Sequence, residues 1–305
     1  MGLIDAEILD CVVVGAGPAG LTAAIYLARF RRTFQVIHSD SSRAAWIPLS
    51  HNHPGFPKGV GGKALLRRMR VQAEAYGAVI IEGRVEDISV RNGSDFRLET
   101  SGGSLLARTV VLATGVMDNA PALPGLEDAV ARSLVRICPI CDAFEVIDQS
   151  VGVIGHDDHA GAEALFLTTY TEDVSLLHVG AESGLSAEMR ERLAAGGVRV
   201  VETPIESVVL EKRKVRALCL AGGEAMTFDS LYAALGVTPR NQLAVKAGAL
   251  LDVDARLVVN DHQETSIPGL FAAGDVVRGL NQISTACGEG ALAATRVHNR
   301  LRGVA

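Results

Sequence analysis

Residues 11–28 read CVVVGAGPAGLTAAIYLA, and the reading of this stretch decides the fold. A short β-branched strand runs into Gly15-x-Gly17-x-x-Gly20, and an Ala/Leu-rich helix follows. Three spaced glycines alone are a weak signal. Between a strand and a helix they open a dinucleotide-binding βαβ unit. Gly15 permits the turn, Gly17 lets the backbone approach a pyrophosphate, and Gly20 lets helix and strand pack closely. The first helical turn then offers free N–H groups and a partial positive charge to phosphate. The plain alternative is a glycine-rich turn that binds nothing.

The pattern occurs twice. VGVIGHDDHAGAEALFLTTY begins at residue 151, and an offset of 140 puts Gly15 on Gly155, Gly17 on Asp157, Gly20 on Ala160 and Leu27 on Leu167. Two such openings predict an α/β protein with two Rossmann-like, three-layer domains. Between them VIIEGRVEDISV, DFRLET and ARTVVLATG read as strands, with an Asn-Gly turn signal in RNGSD. The second unit continues through VRVVETPIESVVL, a charged turn at EKRK, and VRALCLAGG. IPGLFAAGDVV reads as a turn, a buried strand and a Gly-Asp, and TACGEGALAATRVHNRL as the closing helix. Low-complexity linkers are absent, so short hinges are expected near 116–124 and 236–241.

Composition narrows the function. The 305 residues are 48% hydrophobic and 21% charged, with a net charge of −6 and no long basic run. Nucleic acid and anionic membrane surfaces are therefore not expected partners. No apolar stretch is long enough to span a bilayer. The opening MGLIDAEILD is acidic and lacks the basic region and cleavage site of a secretory signal. Its Met-Gly start would suit myristoylation, but Ala6 stands where Ser or Thr is required. The cytoplasm is the expected location. Five cysteines, an odd number, do not make a disulfide framework in a reducing compartment.

Two of those cysteines lie in RICPICDAF, residues 136–144. Cys-x-x-Cys is half of a zinc site, a structural disulfide or a redox dithiol. Zinc takes about four ligands, and no second Cys-x-x-Cys exists. Cys11, Cys219 and Cys287 sit singly in apolar segments, while His156 and His159 fall in the second glycine-type turn. No metal site is expected. A redox dithiol explains more: one thiolate attacks an external disulfide and the other resolves the mixed disulfide. Asp142 follows directly, as a helix cap or a proton carrier. The second role needs burial to raise its pKa towards neutrality.

VVVGAGPAGLTAAIYLAR, HNHPGFP, VVLATG, CPICD, TSIPGLFAAGDV and NQISTACGEGALAA follow in that order. With them the chain resembles the low-molecular-weight thioredoxin reductases and their relatives over nearly its whole length. The resemblance implies an FAD-dependent thiol/disulfide oxidoreductase. It implies an FAD-binding domain split into 1–116 and 242–305, with an NAD(P)-binding-like domain carrying the Cys pair inserted at 117–241. It also implies FAD contacts from Gly15, Ala16, Gly17, Pro18, Ala19, Gly20, Val85, Ala113, Gly274 and Asp275. Asn52 and Thr114–Gly115 would lie on the flavin side, and Gln282 and Ile283 near its ring. Cys138 would exchange with the partner, Cys141 would face the flavin, and Asp142 would protonate or deprotonate the exchanging thiol. A homodimer and a thioredoxin-like protein, or a small dithiol or disulfide, complete the implied assembly.

The chain departs from that pattern in two places. A carboxylate should end the strand TFQVIHSD to accept the adenosine ribose hydroxyls, but His38 stands there, with Asp40 two residues on. Either His38 donates to the ribose, or Asp40 curls in, or His38 is a surface residue. Arg43 is a candidate for the adenine or its phosphate, with a solvated side chain as the plain alternative. The second departure is larger. The inserted domain should carry Gly-x-Gly-x-x-Ala but reads Gly155-His156-Asp157-Asp158-His159-Ala160. Asp157 obstructs and repels a pyrophosphate. After His178 come Val179, Gly180, Ala181 and Glu182, with no arginine for a 2′-phosphate, and Asn281 replaces a family arginine before Gln282. The expectation is a domain that kept its fold and lost NAD(P)H, so that electrons come from a donor such as ferredoxin. The plain alternative is an NAD(P)H site with unusual side chains. Two other functions stay open: an oxygen-dependent oxidase of a small dithiol, and a flavin redox sensor without turnover.

Overall fold

The computed structural model describes residues 8–304 apart from 40–41, 92, 94, 120–122, 133, 181–182 and 212–213. It divides the chain into two compact units. The first takes residues up to Leu49, His53–Met117 and Thr238 onward; the second takes Ser50–Asn52 and Asp118–Val237. The dividing points thus fall at 117/118 and 237/238 rather than at 116/117 and 241/242, and three residues before the His-Pro-Gly turn group with the dithiol unit. Both crossings are short strands, Val116–Asp118 and Val237–Pro239, paired with each other.

The first unit is built on a seven-stranded sheet. Its parallel part runs in the order Val79–Glu82, Phe34–His38, Leu9–Val14, Gly103–Leu112, Leu270–Ala272. Alternate residues bury on opposite faces: Cys11, Val13, Val36, Val111 and Phe271 on one, Val12, Val14, Ile37, Val110 and Leu112 on the other. Strands apolar on both faces require a covering layer on each side, as in doubly wound sheets. On one side that layer is the helix Pro18–Arg29 against the last helix, Ile283–Leu301. The last helix buries Ala286, Gly290, Ala293, Ala294 and Val297, the spacing of one helical face. A Cβ on Gly290 would stand 2.3 Å from Ala19 O, so only glycine lets these helices approach so closely.

One sequence-derived strand splits in two. VIIEGRVEDISV forms Val79–Glu82, parallel to Phe34–His38, and then Val85–Arg91, antiparallel to Asp95–Thr100. The break comes at Gly83, whose N–H donates to His38 O before the chain changes partner. Arg91 faces Asp95 across the following turn.

The second unit repeats the plan on a smaller scale. Its four strands are all parallel, in the order Arg199–Val201, Val174–His178, Val151–Gly155, Ser230–Ala233. The helix Asp158–Leu167 covers one face through Ala160, Ala164 and Leu167. A three-stranded antiparallel sheet, Ile205–Glu211, Lys214–Leu220 and Ala225–Met226, supplies Val208, Leu218 and Leu220 to the other core. Among the described residues no helix is long and apolar enough to cross a membrane.

Candidate active site

Cys138 is extended, and Pro139 opens the single turn Pro139–Asp142. Proline at the first helical position loses no hydrogen bond and arrives with its φ already set. Cys141 N–H donates to Cys138 O at 3.0 Å, and a disulfide joins the two residues across a Cα separation of 5.3 Å. Asp142 is held at both ends. Arg136 Nη1 donates to its Oδ2 at 2.6 Å, and the Tyr232 hydroxyl donates to its Oδ1 at 2.8 Å. Its side chain caps no amide of the turn that follows, so the capping alternative is not what it does. Burial raises the Asp142 carboxyl above its ordinary pKa, and Arg136 pulls the other way. Burial, with Asp142 beside it, also pushes the Tyr232 phenol up, which keeps it a donor. Asn52 donates to Ile140 O at 3.3 Å, and His51 Nδ1 lies 2.5 Å from Glu145 Oε1. Asn52 is therefore placed against the dithiol turn. Of the remaining cysteines, Cys11 is fully buried and its thiol is pushed up to about 12 by that burial. Cys219 and Cys287 are partly buried and unpaired. Among the described residues no cluster of three or more His, Cys, Asp or Glu could hold a metal ion.

The first glycine turn has the shape its sequence requires. Gly15 has φ +112°, and a Cβ there would lie 2.2 Å from Ala113 O. A Cβ on Gly20 would lie 1.9 Å from Gly15 O. Gly17 serves a different end: its Cβ would meet only the Ser42 side chain, with Oγ at 3.1 Å. It caps the helix without any side-chain bond, Pro18 takes the first position, and the first turn holds no acidic residue. The cradle therefore presents backbone amides and no negative charge, which suits a pyrophosphate. Ala113 N–H donates to Val14 O, Thr114 Oγ1 donates to Arg240 O at 2.6 Å, and Gly115 accepts from Arg240 N–H. Gly274, at φ +81°, packs beside Ala19, and Gln282 and Ile283 start the last helix. Val85 is buried in the sheet core. His38 ends its strand with Nε2 3.4 Å from Arg70 Nη1, while Asp40 lies outside the described residues. Arg43 is partly exposed, and its Nη1 is 3.7 Å from Asp275 Oδ2.

Sequence reading missed one group near this turn. Glu289 Oε2 accepts from Gly274 N–H at 2.6 Å. Burial, with the Asp275 charge nearby, pushes its carboxyl up to about 7 against the pull of that amide. Glu289 lies in NQISTACGEGALAA, but an acid on a helix carries no mark of burial until the helix is docked. Arg256 also escaped notice; its guanidinium reaches Asp275 O and, at 3.1 Å, Asn281 Oδ1.

The second turn is closed by its own side chains. Asp157 is the N-cap of the helix Asp158–Leu167, and its Oδ1 accepts from Ala160 N–H at 3.0 Å. Asp158 Oδ1 accepts from Ser186 N–H at 2.8 Å, and Gly184 N–H donates to His156 O at 2.6 Å. The loop after Val174–His178 is thus tied onto the turn. Arg190 does reach this loop, but its guanidinium is taken by Glu202 and by Ser183 Oγ. One repeat offers bare amides to an anion; the other supplies the anion itself.

The chain is similar to known proteins over nearly its whole length. The family model described as pyridine nucleotide-disulphide oxidoreductase matches residues 9–290. Thioredoxin reductase of Aquifex aeolicus is 31% identical over 97% of this chain and 94% of its own length. The solved structure of HlmI superposes with a TM-score of 0.90 at 31% identity, covering 99% of this chain and 95% of HlmI. The thioredoxin reductase of Streptococcus pyogenes also gives 0.90, at 28% identity over 98% of this chain and all of that one. The cofactor of such proteins is FAD, and the amide-lined, charge-free first turn fits its pyrophosphate. By its family match, its relatives and its two nucleotide-type folds, the chain belongs to the pyridine nucleotide-disulphide oxidoreductases, as a flavin disulfide oxidoreductase of thioredoxin-reductase type.

Proposed function

We propose that this enzyme reduces an external disulfide, of a thioredoxin-like protein or a small molecule, and takes its electrons from a donor other than NAD(P)H, such as a ferredoxin. The observation that carries the reading is the Asp157 carboxylate seated on the amide of Ala160, where a dinucleotide pyrophosphate would have to pass. The Gly15–Gly20 turn, with Ala113–Gly115 and Gly274–Ile283 around it, would hold FAD, which supplies a two-electron carrier able to reduce the Cys138–Cys141 disulfide. In the dithiol state the Cys138 thiol loses its proton to a carboxylate oxygen of Asp142. The Cys138 sulfur then attacks one sulfur of the external disulfide, whose S–S bond breaks. The leaving thiolate takes a proton. Cys141 attacks Cys138 Sγ, the enzyme disulfide re-forms, and the second product thiol departs with the second proton. Two electrons and two protons pass from the enzyme dithiol to the external disulfide.

The deciding experiment is anaerobic reduction of the bound flavin by candidate donors, followed by absorbance. Bleaching by reduced ferredoxin but not by NADPH or NADH is expected. Bleaching by a small dithiol, with peroxide formed on admitting air, would make the enzyme an oxidase instead. Two smaller results are expected alongside. Gly17→Glu sets a carboxylate on the pyrophosphate path, so the purified variant retains about tenfold less FAD or lower still. Light scattering gives twice the chain mass, because two-fold dimers are the commonest assembly and the one the family resemblance implies. A mass of one chain at micromolar concentration would remove the dimer.

A further inference from the structure

Arg136 is placed by the sheet rather than by the dithiol turn. Its N–H donates to Leu231 O and its carbonyl accepts from Ala233 N–H, both at 2.8 Å. It forms an isolated parallel bridge opposite Tyr232, one extra rung on the edge of the strand Ser230–Ala233. Residues opposite each other in a ladder project to the same face. The guanidinium and the phenol therefore emerge side by side, and Asp142 lies where both reach it, one donor on each oxygen. Tyr232 is fully buried, and the Asp142 side chain is only 20% exposed. A half-buried carboxylate with one charged and one neutral donor, one on each oxygen, is held more firmly than a surface ion pair.

We propose that Arg136 and Tyr232 are positioning residues that hold Asp142 as an anion by both its oxygens, so that it meets the exchanging thiol as a base. The inference rests on the dithiol role of Cys138 and Cys141 given above. Burial disfavours the Asp142 anion; Arg136 opposes that, and the Tyr232 hydroxyl fixes the plane of the carboxylate. Glu145, on the same segment, disfavours the Asp142 anion, and His51 is paired with Glu145. The reaction is unchanged by the clamp: one proton moves from the thiol to Asp142, and the thiolate sulfur attacks.

The test is single-turnover reduction of 5,5′-dithiobis(2-nitrobenzoate) by the dithionite-reduced holoenzyme between pH 5.5 and pH 8.5. Its leaving thiolate needs no proton, so the rate reports on the base alone. In Arg136→Gln the rate at pH 6 is expected to fall on the order of tenfold against the parent, and less than about twofold at pH 8.5. Arg136→Lys restores the charge and recovers most of the loss at pH 6. Tyr232→Phe keeps the buried ring, and its rate also falls more at low pH than at high pH. The flavin content of each variant serves as the folding control. A parent without exchange at any pH would remove the dithiol reading and this one together. A parent that exchanges, with an Arg136→Gln profile superimposed on its own or lowered equally at every pH, would overturn the clamp alone. If Arg136→Gln loses its flavin, Tyr232→Phe and Arg136→Lys decide by the same comparison.

Discussion

Turnover of an external disulfide falls by about a thousandfold or more in Cys138→Ser and in Cys141→Ser, while both proteins stay yellow. The loss is large because the two sulfurs act as one unit. Without Cys138 the thiolate assigned to the attack is missing. Without Cys141 the first exchange still occurs, but nothing resolves it, and the enzyme stops as a mixed disulfide. The two variants therefore differ in a measurable way. Intact mass spectrometry after incubation with the disulfide substrate is expected to show a stable adduct on the Cys141→Ser protein and none on the Cys138→Ser protein. FAD content is expected to be unchanged, because neither cysteine contributes to the glycine turns. Turnover persisting in both single variants would sink the dithiol mechanism outright.

The second large effect concerns the electron donor. Stopped-flow mixing of the oxidised enzyme with millimolar NADPH or NADH, without oxygen, is expected to leave the flavin absorbance unbleached or nearly so. In a working site the pyrophosphate lies on the amides of the second helix. Here Asp157 accepts from one of them, Ala160 N–H. A dinucleotide must displace that carboxylate and then sit beside its charge. No arginine follows His178 in the loop, and Arg190 is committed to Glu202 and Ser183. A missing bidentate arginine–phosphate contact alone weakens binding by roughly 1.5–3 kcal/mol. With the obstruction added, the loss is at least about a hundredfold in affinity. Asp157→Gly is the matched variant. It costs the helix its cap, about 1 kcal/mol of stability, yet frees the amide, and bleaching by millimolar NADH is expected to quicken about tenfold. Rapid, saturable bleaching of the parent at micromolar nucleotide would show instead that this turn accepts a dinucleotide despite Asp157.

Local chemistry explains what could be read from the residue order. Both glycine-type turns, the alternation of strand and helix, and the Cys-Pro-Ile-Cys-Asp turn are short-range features, and backbone sterics act over a few residues. Gly15 and Gly20 admit no Cβ because their neighbours in the same turn and the adjoining strand stand within 2.2 Å of where it would be. The N-cap bond of Asp157 is equally local, since its partner Ala160 is three residues away. The split of VIIEGRVEDISV was not legible, because a single apolar run does not reveal that its halves pair with different strands. Nor was the fate of Arg43, whose partner Asp275 is brought to it by the fold from the far end of the chain. The sequence by itself determined two nucleotide-type folds, a dithiol with an acid beside it, and a second turn in which Asp157 stands where the first has Gly17. Only the tertiary structure decided how that acid is held, because Tyr232 lies 90 residues beyond Asp142 and meets it through a sheet that places Arg136 and Tyr232 on one rung.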